Sequence, residues 1–187
     1  MSTVFSIGQM NQLGDALELA GFTPDEVTKL RNFPQLKDLK SVINGQAQIT
    51  IAKHVIDMDA NPCVPDNWKV ESHKKGGQLE WTSEKVKLYL SLEQQGEKCV
   101  EGNKLRKELE AQPVCNANLL DYLLAYPELI PESWKGKAIC FWGTIYRSSD
   151  GDLCVRCLYF RGESWRWRCS WLDDGCNSFN PAAVAAK

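Results

Sequence analysis

The stretch "AICFWGTIYRSSDGDLCVRCLYFRGESWRWRCSWL", residues 138–172, decides the fold of this chain. It holds three runs rich in β-branched and aromatic residues, separated by the turn-rich segments "SSDGD" and "RGE". Such runs with short polar connections are typical of strands joined as hairpins. The stretch therefore predicts a three-stranded antiparallel meander.

The centre of each turn predicts which strand residues share a face, because side chains alternate with a period of two. Centring the first turn on Asp150 places Gly143 opposite Cys157. Centring the second turn on Gly162 places Trp167 opposite the same cysteine. One face then becomes a core wall, made of Phe141, Ile145, Val155, Cys157, Tyr159, Trp165, Trp167, Cys169 and Trp171.

The opposite face combines aromatic rings with arginines, which is unusual for a solvated sheet surface. Arginine and aromatic side chains together stack on nucleobases or hold a peptide. We predict a binding surface for a protein or a single-stranded nucleic acid, formed by Trp142, Tyr146, Arg156, Phe160, Arg166 and Arg168. The alternative is that a helix covers the apolar half of this face and leaves the arginines at its rim.

The sequence pattern of residues 1–50 predicts a small three-helix module. Thr23 is suited to an N-cap, Pro24 to the first helical position and Glu26 to a capping box. Gly21 and Gly45 are suited to ending the first and third helices. The arrangement resembles a ubiquitin-associated-type module and is also compatible with a helix-turn-helix.

Residues 51–66 are predicted to be a strand and a linker containing Pro62 and Pro65. Residues 67–187 are predicted to form an α+β domain that ends in the meander. Its clearest helix starts near Asn116 or Asn118, carries a leucine stripe and stops at Pro127. The predicted fold class is therefore α+β, with an N-terminal three-helix segment and a C-terminal antiparallel meander packed by a helix.

The composition of the chain limits the classes of function that we expect. The chain has 187 residues, a formal net charge of −2 and 43% hydrophobic residues, which disfavours a globally basic nucleic-acid binder but allows a local basic patch. No apolar run approaches the roughly 20 residues of a membrane span, and no signal peptide is visible. We therefore expect a cytoplasmic protein without a membrane partner, with its eight cysteines as free thiols.

Two patterns resemble metal sites. The pair in "CVRC", Cys154 and Cys157, lies within a strand, so its thiols should point to opposite faces and not share a zinc ion. Asp57 and Asp59 share a strand face, and His73 could join them. These three residues support an alternative function, a metal-dependent hydrolase or nuclease.

The sequence shows no recognisable motif for acyl transfer or for nucleotide binding. The sequence contains no G-x-S-x-G, no phosphate loop and no dinucleotide fingerprint. We therefore expect no cofactor and favour a non-enzymatic binding or accessory protein.

Three segments carry a resemblance to a protein group. "MNQLGDALELAGFTPDEVTKL", "NANLLDYLLAYPELIPESWKGK" and "FWGTIYR" resemble uncharacterised small bacterial proteins, seen largely as hypothetical proteins in environmental genomes. The resemblance covers nearly the whole chain. It implies a bacterial cytoplasmic origin and no particular chemistry.

Overall fold

A computed structural model describes residues 4–50, 53–96 and 98–186. The chain divides into two compact units, Met1–Ala52 and Lys53–Lys187. The helical segment is N-terminal and the larger sheet is C-terminal, which confirms the α+β class. Within the described ranges, no helix is long and apolar enough to cross a membrane.

The helices and strands are numbered in chain order. The helices are α1 (Ile7–Leu19), α2 (Pro24–Leu30), α3 (Leu36–Ile43), α4 (Gly102–Leu109) and α5 (Ala117–Ala125). The strands are β1 (Val55–Asp57), β2 (Lys69–His73), β3 (Gln78–Glu80), β4 (Val86–Tyr89), β5 (Val100–Glu101), β6 (Ala138–Arg147), β7 (Leu153–Arg161), β8 (Ser164–Trp171), β9 (Gly175–Cys176) and β10 (Ala182–Ala185).

The N-terminal unit consists of α1, α2 and α3, and its helix ends follow the sequence signals. Thr23 caps α2 and exchanges side-chain and backbone hydrogen bonds with Glu26, while Pro24 occupies the first turn. Gly21 and Gly45 adopt positive φ angles of 81° and 70° directly beyond α1 and α3. The predicted capping box and glycine stops are therefore confirmed.

These three helices bury none of their residues. Their apolar side chains instead line an open groove of about 770 Å³, which includes Leu13, Leu17, Val27, Leu30 and Leu39. The periodic leucines of this unit therefore form a half-covered stripe and not a closed core.

The second unit is built on a six-stranded sheet. Its strand order is β4-β10-β6-β7-β8, and β2 also pairs with β6. All pairs are antiparallel except β10 with β6. Strands β6, β7 and β8 form the predicted meander, with β8 at one edge of the sheet.

Each face of the meander has its own core. On one face the α5 leucines pack against β6 and β7, in a cluster that includes Leu119, Leu120, Leu123, Ile139, Phe141 and Leu158. On the other face α4 supplies apolar side chains, in a cluster that includes Leu105, Leu109, Trp142, Ile145 and Val155. The predicted covering helix is therefore α5, and α4 covers the opposite face.

The second turn differs from the predicted turn. Arg161 pairs with Ser164, so the loop contains only Gly162 and Glu163, with φ angles of 56° and 67°. Positive φ at both positions matches the twist of a two-residue hairpin. Trp167 consequently lies opposite Leu158 and not opposite Cys157, and this one-residue shift moves every β8 side chain to the other face.

Strand β6 leaves its β7 ladder between Cys140 and Ile145. Ile145 pairs with Val155 as predicted, but Cys140 lies opposite Cys157 where Gly143 was expected. The Gly143 N–H donates to the Cys115 carbonyl at 2.9 Å, and the Gly143 carbonyl accepts from Lys74 N–H at 2.6 Å. The bulged segment therefore bonds to the start of α5 and the end of β2 and not to β7.

The positions of the cysteines in the sheet follow from this register. Cys140 and Cys157 form a disulfide, so the prediction of free thiols is wrong for this pair. The other six cysteines are free. Cys154 packs with Tyr146 on the α5 face, whereas Cys157 packs on the α4 face, which confirms that the "CVRC" thiols point apart.

Replacing Gly143 with alanine should destabilise the second unit. A Cβ atom at this position would lie 2.9 Å from the Asn116 N and Cα atoms, and backbone cannot rotate away. We expect a loss of roughly 2 kcal/mol, the middle of the range for overpacking, and a fall in Tm of about 4–8 °C. Thermal unfolding of Gly143→Ala measures it, with exposed Lys87→Ala as the control. Equal Tm values for the two variants would contradict the tight contact.

Candidate binding surface

Three of the six residues predicted to form a binding face are buried. Trp142 is 5% exposed, Arg156 is 3% exposed and Tyr146 is fully buried. Trp142 also belongs to the α4 face, whereas Tyr146 belongs to the α5 face. The prediction that all six share one exposed face is therefore wrong, because the bulge in β6 and the two-residue turn regroup the side chains.

Arg156 ties α5 to the sheet. Its Nη1 and Nη2 atoms donate to the two carboxylate oxygens of Asp121 at 3.1 and 2.6 Å. Its guanidinium also lies 4.4 Å from the Trp167 ring centroid and 5.9 Å from that of Tyr146. A guanidinium with a bidentate carboxylate and two aromatic neighbours has a structural role and little capacity left for a ligand.

The ionisation of this cluster reflects its burial. Burial is the largest single effect and opposes the positive charge of Arg156, but the hydrogen bonds and charge of Asp121, together with the Tyr146 hydroxyl, outweigh it and raise the pKa of the guanidinium. Burial raises the pKa of Tyr146 to about 12. The Tyr146 hydroxyl donates to the Cys63 carbonyl at 3.0 Å, so the phenol is held neutral with its proton engaged.

A thiol pair lies beside the same arginine. The interaction between the Cys154 and Cys169 thiols lowers the pKa of Cys169 and raises that of Cys154. Arg156 stabilises both thiolates further. Cys169 is therefore the more acidic thiol of the pair.

The carboxylates proposed for metal binding accept hydrogen bonds from backbone N–H groups in turns. The Asp59 carboxylate accepts from the N–H groups of Gly76 and Gly77 at 3.0 and 2.8 Å, and that of Asp57 accepts from the Asp59 N–H at 2.9 Å. His73 bonds through Nδ1 to the Thr144 hydroxyl at 2.8 Å. In the part of the chain that is described, no group of three or more His, Cys, Asp or Glu side chains is arranged to hold a metal ion.

The observed register creates a different surface at the β7–β8 hairpin. Tyr159 pairs with Arg166 and Arg161 pairs with Ser164, so the arginines at 161, 166 and 168 share a face with Tyr159. Lys137 and Phe179 lie with Tyr159 and Arg168 around a depression of about 210 Å³. We call this the basic hairpin surface and define it as Lys137, Tyr159, Arg161, Arg166, Arg168 and Phe179.

Cations of this surface lack acidic partners. Across the described ranges, none of Lys137, Arg161, Arg166 and Arg168 forms an ion pair with a carboxylate. Lys137 donates to the Ser133 carbonyl, and Arg166 donates to the Ser164 hydroxyl. Since the whole chain has a formal charge of −2, this cluster is a local excess of positive charge on an acidic protein.

Aromatic rings accompany these cations. Phe179 is 64% exposed, and the Arg168 guanidinium lies 5.6 Å from the Tyr159 ring centroid. Phe160 also lines the depression, although its ring contacts Trp165 and carries Lys135 Nζ 4.3 Å from its centroid. Of the six predicted residues, Arg166 and Arg168 thus belong to this surface, and Phe160 lines its depression.

Sequence reasoning missed the other members for two reasons. Centring the "RGE" turn on Gly162 placed Trp165 and Trp167, and not the arginines, on the face of Tyr159. A two-residue Gly162–Glu163 loop, the commonest hairpin connection, would have grouped Tyr159 with the arginines. Lys137 and Phe179 come from segments outside the hairpin, and no local pattern connects them to it.

Stability should fall in alkaline solution because of two buried groups. Burial raises the pKa of Cys115 from 9.0 to about 12 and that of Tyr146 from 10.0 to about 12. Both pKa values are higher in the folded state, so the stability they contribute is complete below pH 9 and is lost as pH rises towards 12.

Mutation separates the contributions of Cys115 and Tyr146 to the pH dependence of stability. Cys115→Ala should reduce the slope of unfolding free energy against pH from pH 9 upward, and Tyr146→Phe only from pH 10 upward. Each reduction should be at most about 1.4 kcal/mol per pH unit. Urea unfolding across this range measures the slopes, and identical slopes in wild type and both variants would contradict the assignment.

The chain was compared with family models, curated proteins and solved structures, and none of them matches it.

Proposed function

We propose that this chain is a non-enzymatic binding protein whose basic hairpin surface holds a single-stranded nucleic acid. The proposal keeps the arginine and aromatic character expected from the sequence, but on a regrouped set of residues. The observation that carries it is a cluster of four cations that form no ion pair with the described carboxylates, two of which, Lys137 and Arg168, lie with Tyr159 and Phe179 around one depression.

Unpaired guanidinium groups favour phosphate as their partner. The Arg fork matches the geometry of a phosphate group, and contacts to phosphates release condensed counterions. Arg166 and Arg168 are both exposed and lie two residues apart on the edge strand β8. Their side chains therefore project in the same direction and can follow an extended backbone.

Exposed rings favour a single strand over a duplex. Bases of a duplex are already stacked, whereas a single strand offers free base faces to side chains. Phe179 is the most exposed ring of this surface, and Tyr159 is half-buried beneath Arg168. We assign base stacking to Phe179 and phosphate contacts to the cations.

The alternative function, a metal-dependent hydrolase or nuclease, has less support. Asp59 holds a glycine turn, and Asp57 closes the turn before it. A catalytic metal would compete with these hydrogen bonds for the aspartate Oδ1 atoms.

Anisotropy of a dye-labelled oligothymidylate tests the proposal. Binding should weaken with salt, and Arg166→Ala/Arg168→Ala should bind at least tenfold more weakly. If each arginine contacts one phosphate, the slope of log K against log salt should fall by about 1.4, twice the single-strand value of about 0.7 per contact. Phe179→Ala should cost roughly 1–3 kcal/mol of binding free energy with an unchanged salt slope.

A matched charge control is Lys69→Ala/Lys87→Ala, which removes two exposed cations from other strands of the same sheet. Equal affinity of the two double variants would contradict a role for the hairpin. Binding of a poly-glutamate peptide without binding of the oligonucleotide would replace the nucleic acid with an acidic protein segment.

A further inference from the structure

The open groove of about 770 Å³ lies among α1, α2 and α3 of the N-terminal unit. Leu17, Leu30 and Leu39, one from each helix, are half-buried along it. Phe5 and Ile43, which also line it, are 71% and 84% exposed. Large apolar patches of this kind on a soluble protein mark surfaces that bind a partner. The groove therefore has the character of a docking surface.

Two cations complete the lining of this groove. Arg31 lies directly after α2, and Lys40 lies on α3. Neither forms an ion pair with a carboxylate of the described segments, and no described acidic residue lines the groove. Because the charges of two binding surfaces are complementary, the groove favours a partner that brings acidic groups.

The helices around the groove favour a helical partner. Their backbone N–H and C=O groups are bonded within each helix, so they offer no sheet edge with which an extended peptide could pair. An extended segment would leave its own backbone groups without partners, which costs free energy. An amphipathic helix satisfies its own backbone and presents apolar side chains to a groove at helical spacing.

The two cations also distinguish this partner from two other occupants. A symmetric pairing of two copies of the chain through the groove would bring Arg31 and Lys40 of both copies to one interface, where like charges repel. A fatty acid would bring one carboxylate to two cations. Acidic residues along a helix can pair with both.

We propose that this groove binds an amphipathic helix of another protein, with an apolar stripe flanked by acidic residues. The apolar stripe packs on Leu17, Leu30 and Leu39, and the acidic residues pair with Arg31 and Lys40. This partner differs from the nucleic acid assigned to the basic hairpin surface, and its binding site belongs to the other unit of the chain.

Fluorescence anisotropy of a dye-labelled synthetic peptide tests the proposal on the full chain. The peptide has about 18 residues, with leucines at helical spacing flanked by glutamates. It should bind with a Kd of about 10 μM or tighter. A peptide with lysine in place of each glutamate, and a peptide with the same residues in shuffled order, should each bind at least tenfold more weakly.

The charge variant Arg31→Gln/Lys40→Gln should bind the acidic peptide at least tenfold more weakly than wild type. The matched control is Lys29→Gln/Lys37→Gln, which removes exposed cations from α2 and α3 outside the groove lining. This control should bind the peptide as wild type does.

The apolar variant Ile43→Ser should also weaken binding at least tenfold, because it removes apolar area that the peptide would bury. Its Tm should equal that of wild type, since this side chain is largely exposed in the free protein. The matched control is Leu19→Ser: Leu19 is 90% exposed and ends α1 as Ile43 ends α3, but it does not line the groove.

Arg166→Ala/Arg168→Ala separates this site from the basic hairpin surface, because it should bind the acidic peptide as wild type does. The proposal is overturned if the acidic peptide binds no better than the lysine or shuffled peptide, or if groove and control variants bind it equally. Loss of peptide binding in the hairpin variant would also overturn it. Saturable binding of oleate without binding of the peptide would replace the helix with a fatty acid.

Discussion

The contact between the backbones of Gly143 and Asn116 is the constraint on which the rest of the second unit depends. A Cβ atom on residue 143 would lie 2.9 Å from Asn116 N and Cα, so only glycine allows β6 to come this close to the start of α5. The approach lets the Gly143 N–H reach the Cys115 carbonyl and draws β6 away from β7. Asn116 in turn caps α5 by accepting from the Asn118 N–H.

This departure of β6 distributes neighbouring side chains between the two faces of the sheet. Phe141 joins the core under α5, and Trp142 joins the core under α4. The same break leaves a cavity beside Trp142 and places Cys140 opposite Cys157. A local irregularity in one strand thus determines both the packing of the sheet and the pairing of its cysteines.

The charged side chains of this sheet divide between a buried structural arginine and the exposed arginines to which we assign binding. Arg156 is buried, and removing Asp121 would leave its charge without a partner, which is costly inside a protein. Arg166 and Arg168 project from the exposed edge strand and have no such partner among the described residues. Arginines in one short meander therefore differ in burial and in pairing because of the face and the strand that carry them.

Sequence reasoning succeeded where local signals decide the structure. The capping box of Thr23 and Glu26, the leucine stripe of α5 and the three strands of the meander all follow from short-range patterns. It failed at register, because a one-residue difference in the Gly162–Glu163 turn exchanges the faces of β8.

The sequence indicates the bulge of β6 even less clearly than the register of β8. Its cause is a contact between Gly143 and Asn116, and a single glycine in a strand indicates close approach without naming the partner. The basic hairpin surface also depends on such long-range contacts. For this reason the candidate binding residues were only partly predictable, whereas the fold class was.

The measurement that tests the central claim most directly is a peptide map of the oxidised protein under non-reducing conditions. The bulge places Cys140 opposite Cys157, so the map should contain these two cysteines in one linked peptide pair. In an uninterrupted ladder Gly143 would occupy that position, and Cys140 would lie three residues, or about 10 Å, further along, beyond disulfide reach. A map in which oxidation links Cys140 or Cys157 to other cysteines, or leaves both alkylated, would contradict the account.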